Sequence, residues 1–178
     1  MKEILQKDEA LLRKSAREVK PEEISSEYIR GVIRDMKGAM DKEEDAAAIA
    51  APQIGELVRI FIISKHILPN NQEGLAKDLV FINPKLIKHS KKTKVVEEGC
   101  LSVRWLYGDV ERFEKATVEA YDENGKRIVY GASGVIAQAF QHELDHLDGV
   151  LFIDKADNVR DIPPESQSED NPKELLHD

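Results

Sequence analysis

Two histidines near the C-terminal end of the chain, His142 and His146, constrain the fold more than any other feature. Residues four apart lie one turn apart on the same face of a helix, so a helix here brings both imidazoles to one point. Glu143 can reach a water bound to a metal without itself being a ligand. This H-E-x-x-H pattern predicts a helix that carries a metal site. The alternative is a solvated helix turn with two surface histidines.

The third ligand is predicted to be Cys100, the only cysteine of the chain. It follows Gly99, and a glycine lets the backbone come close to a neighbouring group. A single cysteine forms no disulfide within the chain, and we expect a reducing compartment. Two histidines and one thiolate leave the fourth tetrahedral position open, as catalytic metal sites do. The alternative is that Cys100 is a small buried core residue.

Hydrophobic periodicity predicts an α+β fold, with antiparallel strands in small sheets around a central C-terminal helix that carries the metal motif. That helix spans residues 135–147 after a break at 131–134, and an amphipathic helix at 21–42 packs on the core. Glu123-Asn124-Gly125 is the strongest hairpin signal. The predicted strands are residues 57–64, 78–83 (ended by Pro84), 116–121, 126–130 and 150–153, with a surface loop at 67–77.

Composition fits a single intracellular domain. The chain has 178 residues, of which 41% are hydrophobic and 34% charged. Its net charge of −8 gives no general attraction to nucleic acid or anionic membrane, so we expect no direct nucleic-acid function and no membrane association. Without a signal peptide or an apolar run of about 20 residues, the expected location is cytoplasmic. We predict a catalytic domain at 1–157 and a polar C-terminal tail at 158–178.

Three segments, in the same order along the chain, resemble the signature motifs of the peptide deformylases. Gln141–Gly149 (QHELDHLDG) and Glu98–Ser102 (EGCLS) match two of them, and Ala46–Gln53 (AAAIAAPQ) is similar to the glycine-rich third. The similarity extends over roughly residues 4–155. It implies a metallo-amidase of protein biosynthesis. Such an enzyme removes the N-formyl group from the N-formylmethionine of nascent polypeptides and releases formate.

The resemblance also implies roles for the metal-motif residues. Cys100, His142 and His146 would hold one divalent ion, which is ferrous iron in the cell, with zinc, nickel or cobalt as substitutes. Glu143 would take a proton from the attacking water and pass it to the leaving amine. The implied partners are N-formylmethionyl peptides and the ribosome.

Further roles concern the oxyanion and the peptide. The resemblance implies that Gln53 and the backbone N–H of Leu101 stabilise the oxyanion. A glutamine after Pro52 could instead be only solvated. The only tryptophan could cap the substrate pocket or fill the core, and the glutamine one turn before His142 could line the pocket or occupy a polar helix boundary. The predicted substrate-binding residues are Ala47, Ala48, Glu98, Trp105 and Gln138.

This chain departs from the family pattern in two places. Ala46 and Ala48 stand where the family has glycines, so these positions either need a left-handed backbone, which disfavours alanine, or need the absence of a side chain. In the second case the two methyl groups would crowd the peptide groove. Arg104 stands where the family often has proline, and Trp105 follows it.

Two other functions remain open. One is a non-catalytic relative that keeps the metal and binds peptide N-termini or a ribosomal partner. The other is a zinc endopeptidase, which the H-E-x-x-H pattern alone allows. The Cys100 motif and the small size of the chain favour the deformylase function over the endopeptidase.

Overall fold

The computed structural model describes residues 2–69 and 76–164. Within these ranges the chain forms two α-helices, α1 (Glu27–Met40) and α2 (Gly134–Leu147). The strands are β1 (Ala48–Ala50), β2 (Ile60–Ile63), β3 (Leu79–His89), β4 (Thr93–Gly99), β5 (Leu106–Phe113), β6 (Lys115–Tyr121), β7 (Arg127–Ser133) and β8 (Asp157–Asp161). None of the described helices has the length and apolar character needed to cross a membrane.

The strands form two antiparallel sheets, and α2 packs between them. The larger sheet has the order β1-β2-β3-β6-β7, and the smaller has the order β4-β5-β8. Helix α2 contacts strands of both sheets. Its Phe140 packs against Phe61 and Phe81 of the larger sheet, with ring centroids 6.0 and 5.3 Å apart. The predicted α+β fold with a central C-terminal helix is therefore confirmed.

The first helix begins later than its periodicity predicts. Pro21–Glu23 forms a separate 3-10 turn, and α1 begins after Ser26. The Oγ atom of Ser26 accepts a hydrogen bond of 3.2 Å from the backbone N–H of Ile29. Such an N-cap satisfies one of the free donors at a helix start, which explains the position of this boundary.

The prediction that Pro84 ends the third strand is wrong. Strand β3 continues through Pro84 to His89, and its register against β6 shifts at that point. Asn83 has a φ of 51°, and its side-chain amide exchanges hydrogen bonds of 2.7 and 2.8 Å with the backbone of Val19. A bulge held in this way lets the strand accommodate a residue that lacks a backbone donor.

The prediction of a strand at 150–153 is also wrong, because Phe152–Asp154 is a 3-10 turn. The returning strand is β8, which pairs with β5. The predicted tail begins at residue 158, but residues 158–161 belong to β8 of the smaller sheet. Residues 165–178 of the predicted tail, and residues 70–75 of the predicted surface loop, lie outside the described residues.

The hairpin and the end of α2 agree with the local sequence signals. Strands β6 and β7 pair around Gly125, which has a φ of 80°. The break predicted at 131–134 is wrong, because β7 continues to Ser133 and α2 begins at Gly134. After α2, Gly149 has a φ of 76°, and a Cβ there would lie 2.5 Å from the carbonyl oxygen of Arg13. Glycine is therefore required where the N-terminal segment crosses the end of α2.

Candidate active site

Cys100, His142 and His146 come together as the sequence predicts. Cys100 follows the end of β4, and the two histidines project from adjacent turns of α2. Their ligand atoms all lie within 4.8 Å of one another, and the Cys100 Sγ is 3.2 Å from the His146 Nε2. His146 is only 1% exposed, so the alternative of two surface histidines is wrong.

The close approach at Gly99 explains the glycine before the cysteine. A Cβ on Gly99 would lie 2.7 Å from the ring of Tyr107, which stands opposite it on β5. No side chain fits in that space. Glycine therefore lets β4 and β5 pair closely where the chain turns toward the thiol of Cys100.

Glu98 orients His142. The Nδ1 of His142 lies 2.9 Å from Oε1 of Glu98, which leaves the imidazole Nε2 available to the cysteine cluster. Arg112 donates two hydrogen bonds of 2.8 Å to the same carboxylate and a third of 2.7 Å to Asp145. Glu98 was predicted to bind substrate, but its carboxylate oxygens are engaged by protein donors.

Glu98 and Arg112 form a buried ion pair in this network. Burial alone would raise the pKa of Glu98, but the hydrogen bonds from Arg112 and His142 lower that pKa to about 2. Glu98 is therefore an anion at neutral pH. Arg112 is not among the residues that the sequence predicts for the site. The pattern that could have indicated it is a charged residue at an alternate position of β5, on the same inward face as Gly108 and Val110.

Glu143 is buried beside the cluster, with 3% of its surface exposed. Its Oε2 atom is buried and has no hydrogen-bond partner in the described part of the chain. Burial raises the pKa of Glu143 to about 7. A carboxyl group with such a pKa can both accept and release a proton near neutral pH.

Gln53 and Leu101 supply hydrogen-bond donors near the thiol. Gln53 is 1% exposed, so the alternative of a merely solvated glutamine is wrong. Its Oε1 accepts a hydrogen bond of 2.8 Å from Ala50, which directs its amide nitrogen toward Ser102 Oγ at 3.1 Å and Cys100 Sγ at 3.6 Å. Across residues 2–69 and 76–164, the backbone N–H of Leu101 has no acceptor.

A cavity of about 320 Å³ opens onto this cluster. Trp105 lines it and is half-buried, so this tryptophan is not a core residue. Gln138 donates a hydrogen bond of 3.0 Å to the Glu97 carbonyl and also faces the cavity. All the predicted substrate-binding residues lie along its walls, namely Ala47, Ala48, Glu98, Trp105 and Gln138.

The two alanines that replace family glycines lie in different surroundings. Among the described non-glycine residues, only Asn83 and Asn158 have a positive φ, so the left-handed explanation for the alanines is wrong. Ala48 belongs to β1 and lines the cavity. Ala46 is instead buried in the hydrophobic cluster beneath α1. Only Ala48 is placed to restrict a bound peptide.

The donor set fits a divalent transition metal ion. One thiolate and two imidazoles at this separation form a typical three-ligand set, which leaves a position for a water or a substrate. The unpartnered Oε2 of Glu143 lies on the same helix, directly after the first histidine. A buried polar atom without a partner is costly unless a further group binds to it.

Comparisons with known proteins agree with this geometry. The family model described as polypeptide deformylase matches residues 1–161. Peptide deformylase 2 of Clostridium acetobutylicum is 39% identical over 154 residues, which is 86% of this chain and 94% of that protein.

Solved structures are also similar. A peptide deformylase from Synechococcus elongatus in complex with actinonin has a TM-score of 0.79 and 35% identity, covering 88% of this chain and 81% of that one. A class I type b peptide deformylase from Acinetobacter baumannii with Met-Ala-Ser bound has a TM-score of 0.78 and 29% identity. That match covers 87% of this chain and 99% of the other.

Proposed function

The chain belongs to the peptide deformylase family, and on that basis we propose that it hydrolyses the N-formyl group of N-formylmethionyl peptides and releases formate. The observation that carries this proposal is the Cys100–His142–His146 cluster, with the buried Glu143 beside it, at a cavity bordered by β1. We propose residues 1–161 as the catalytic domain.

Cys100, His142 and His146 would hold the metal ion. When bound, a divalent cation supplies Lewis acidity, which lowers the pKa of water toward about 7 and polarises a carbonyl oxygen. We propose ferrous iron as the metal in the cell, with zinc, nickel or cobalt as substitutes. Metal analysis after anaerobic purification tests this identity.

Glu143 would move the proton. Water adds to the formyl carbon, and the Glu143 carboxylate accepts the proton that the water loses. The C–N bond then breaks, and Glu143 returns the proton to the nitrogen of the leaving amine. The products are formate and a free N-terminal amine. Burial, which raises the pKa of Glu143 to about 7, suits it to both steps.

The amide of Gln53 and the backbone N–H of Leu101 would stabilise the oxyanion. The Gln53 amide is oriented before substrate binds, because its oxygen is already engaged by Ala50. Loss of one donor of this kind typically raises the barrier by about 2.7–4 kcal/mol. We therefore expect Gln53→Ala to lower kcat by about 10²–10³-fold.

The peptide would bind along β1. This strand is an edge of the larger sheet and pairs only with β2 among the described strands, while Ala47 and Ala48 line the cavity. An extended peptide can add to such an edge through main-chain hydrogen bonds. The Acinetobacter baumannii relative has a Met-Ala-Ser peptide bound, which supports a peptide as the ligand of this protein.

The substrate class suggests where the protein acts. Formylmethionine is present at the start of nascent chains, so we propose a cytoplasmic enzyme that works close to the ribosome. Co-sedimentation of the protein with purified ribosomes tests that association.

Turnover of formyl-Met-Ala-Ser by metal-loaded protein tests the function directly. Acetyl-Met-Ala-Ser and an internally cleavable peptide serve as controls. We expect formate release from the formyl peptide only. Binding without turnover would favour the non-catalytic alternative, and cleavage of the internal peptide would favour the endopeptidase.

A further inference from the structure

Arg104 joins two walls of the cavity. Its guanidinium Nη1 lies 2.8 Å from Oδ2 of Asp45, and its Nη2 lies 2.9 Å from Oδ1 of the same residue and 3.0 Å from Oε2 of Glu43. Arg104 belongs to the loop after Cys100, whereas the two acidic residues precede β1. The Arg104 side chain is 16% exposed, so these ion pairs are partly shielded from solvent.

The same guanidinium also packs on Trp105. Its central carbon lies 4.2 Å from the centroid of the tryptophan ring. An arginine over a tryptophan face is an attractive cation–π arrangement. Arg104, Trp105 and Asp45 all line the cavity that the metal cluster shares. The guanidinium therefore links the acidic segment before β1 to the Trp105 ring.

The loop that carries Arg104 is held from a second side. The backbone N–H of Arg104 donates to Oε1 of Gln6 at 3.3 Å, and the Gln6 amide donates to the Leu101 carbonyl at 3.0 Å. Gln6 holds the backbone of Arg104, and the Arg104 side chain contacts the Trp105 ring and Asp45.

We propose that Arg104 is a positioning residue that holds Trp105 as a wall of the peptide groove and so sets the affinity for residues that follow formylmethionine. This proposal rests on the proposed deformylase function. Arginine suits the role because its planar fork binds the Asp45 carboxylate with two nitrogens while its face packs on the indole. Lysine keeps the charge but not this geometry.

The chain offers a matched control. Arg127 on β7 also binds a carboxylate with two nitrogens, at 3.1 and 2.8 Å from Glu119 on β6. It does not line the cavity. Arg127→Lys therefore removes the same two-nitrogen geometry, with the charge kept, without touching the groove.

The first measurement is the fluorescence of Trp105, the only tryptophan of the chain. In Arg104→Lys we expect a red-shifted emission and about twofold stronger acrylamide quenching, because an ammonium group does not cover the indole face as the planar guanidinium does. Arg127→Lys should match the parent. Parent-like emission and quenching in Arg104→Lys would overturn the proposal.

The second measurement separates binding from chemistry. For formyl-Met-Ala-Ser, Arg104→Lys should raise KM about three- to tenfold and leave kcat within about twofold, with a smaller change in KM for formyl-Met-Ala. A fall in kcat at constant KM would contradict the positioning role. An equal rise in KM for both substrates would also contradict it.

A second variant keeps the test valid if Arg104→Lys does not fold. Removing both acidic partners, by Asp45→Asn with Glu43→Gln, should reproduce the change in Trp105 fluorescence. The Kd of the product peptide Met-Ala-Ser, measured by Trp105 fluorescence, should rise about three- to tenfold in this variant. Because this titration needs no turnover, it can succeed even if the deformylase activity is absent. An unchanged Kd would count against the Arg104 proposal alone.

Discussion

The Glu98 carboxylate lies 2.9 Å from the Nδ1 of His142, and this contact decides which ring nitrogen faces the Cys100 thiol. Arg112 holds the same carboxylate from the other side. The orientation of His142, a candidate metal ligand, therefore depends on Arg112 of β5, a strand that carries none of the three candidate ligands. Groups that support a ligand in this way influence metal affinity almost as strongly as the ligands do.

Glu98→Gln should weaken metal binding by about 10–100-fold, because a neutral amide supports the His142 imidazole less well than a carboxylate. Competition with a chelator measures this change. Glu119→Gln is the control, since Glu119 also pairs with an arginine but lies away from the cluster. An unchanged metal affinity in Glu98→Gln would show that this contact does not support the site.

Arg112→Met should lower the free energy of unfolding by about 3–5 kcal/mol, because it leaves the buried Glu98 carboxylate without its main counter-charge. Arg127→Met removes an exposed pair and should cost about 0–1 kcal/mol. Urea unfolding of the metal-free proteins compares the two. Equal losses would mean that burial of the Glu98–Arg112 pair adds nothing to its importance.

Glu143→Ala should reduce formyl-peptide hydrolysis by at least about 10²–10⁴-fold while the protein still binds about one metal ion per chain. The reason is that Glu143 is proposed to move protons and not to hold the metal. His146→Ala should instead lose the metal. Loss of metal from the Glu143 variant would refute the assigned role.

Ala46 and Ala48 should respond differently to glycine. Ala48→Gly removes a methyl group from the cavity wall, so kcat/KM should rise more for formyl-Met-Ala-Ser than for formyl-Met-Ala. Ala46→Gly acts in the core and should cost about 0.5–1 kcal/mol of stability without changing this ratio. Kinetics on both peptides, with urea unfolding of each variant, separate the effects. A uniform change across both substrates in Ala48→Gly would rule out crowding of the groove.

Local sequence patterns predicted the elements that local hydrogen bonding defines. The helix with His142 and His146 follows from its periodicity, and the β6–β7 hairpin follows from Asn124-Gly125. The signals for these elements lie within a few residues of one another. The Cys100–His142–His146 cluster was also predictable, because Cys100 is the only thiol that could join the two histidines.

Errors arose where a distant contact overrides a local signal. A proline usually ends a strand, but β3 continues through Pro84. The reason is that Asn83 is held by Val19, which lies 64 residues earlier in the chain. Similarly, the polar residues of β8 look like a tail until β5 supplies their backbone partners.

The residue pattern alone predicts the helix that carries His142 and His146, the clustering of these two histidines with Cys100, and the family of the chain. Packing of separate segments is what brings Glu98 to His142, Arg112 to Glu98, and Arg104 to Asp45. Residue spacing encodes periodic local geometry. A buried charge pair forms only when packing brings two separate segments together and removes water from both.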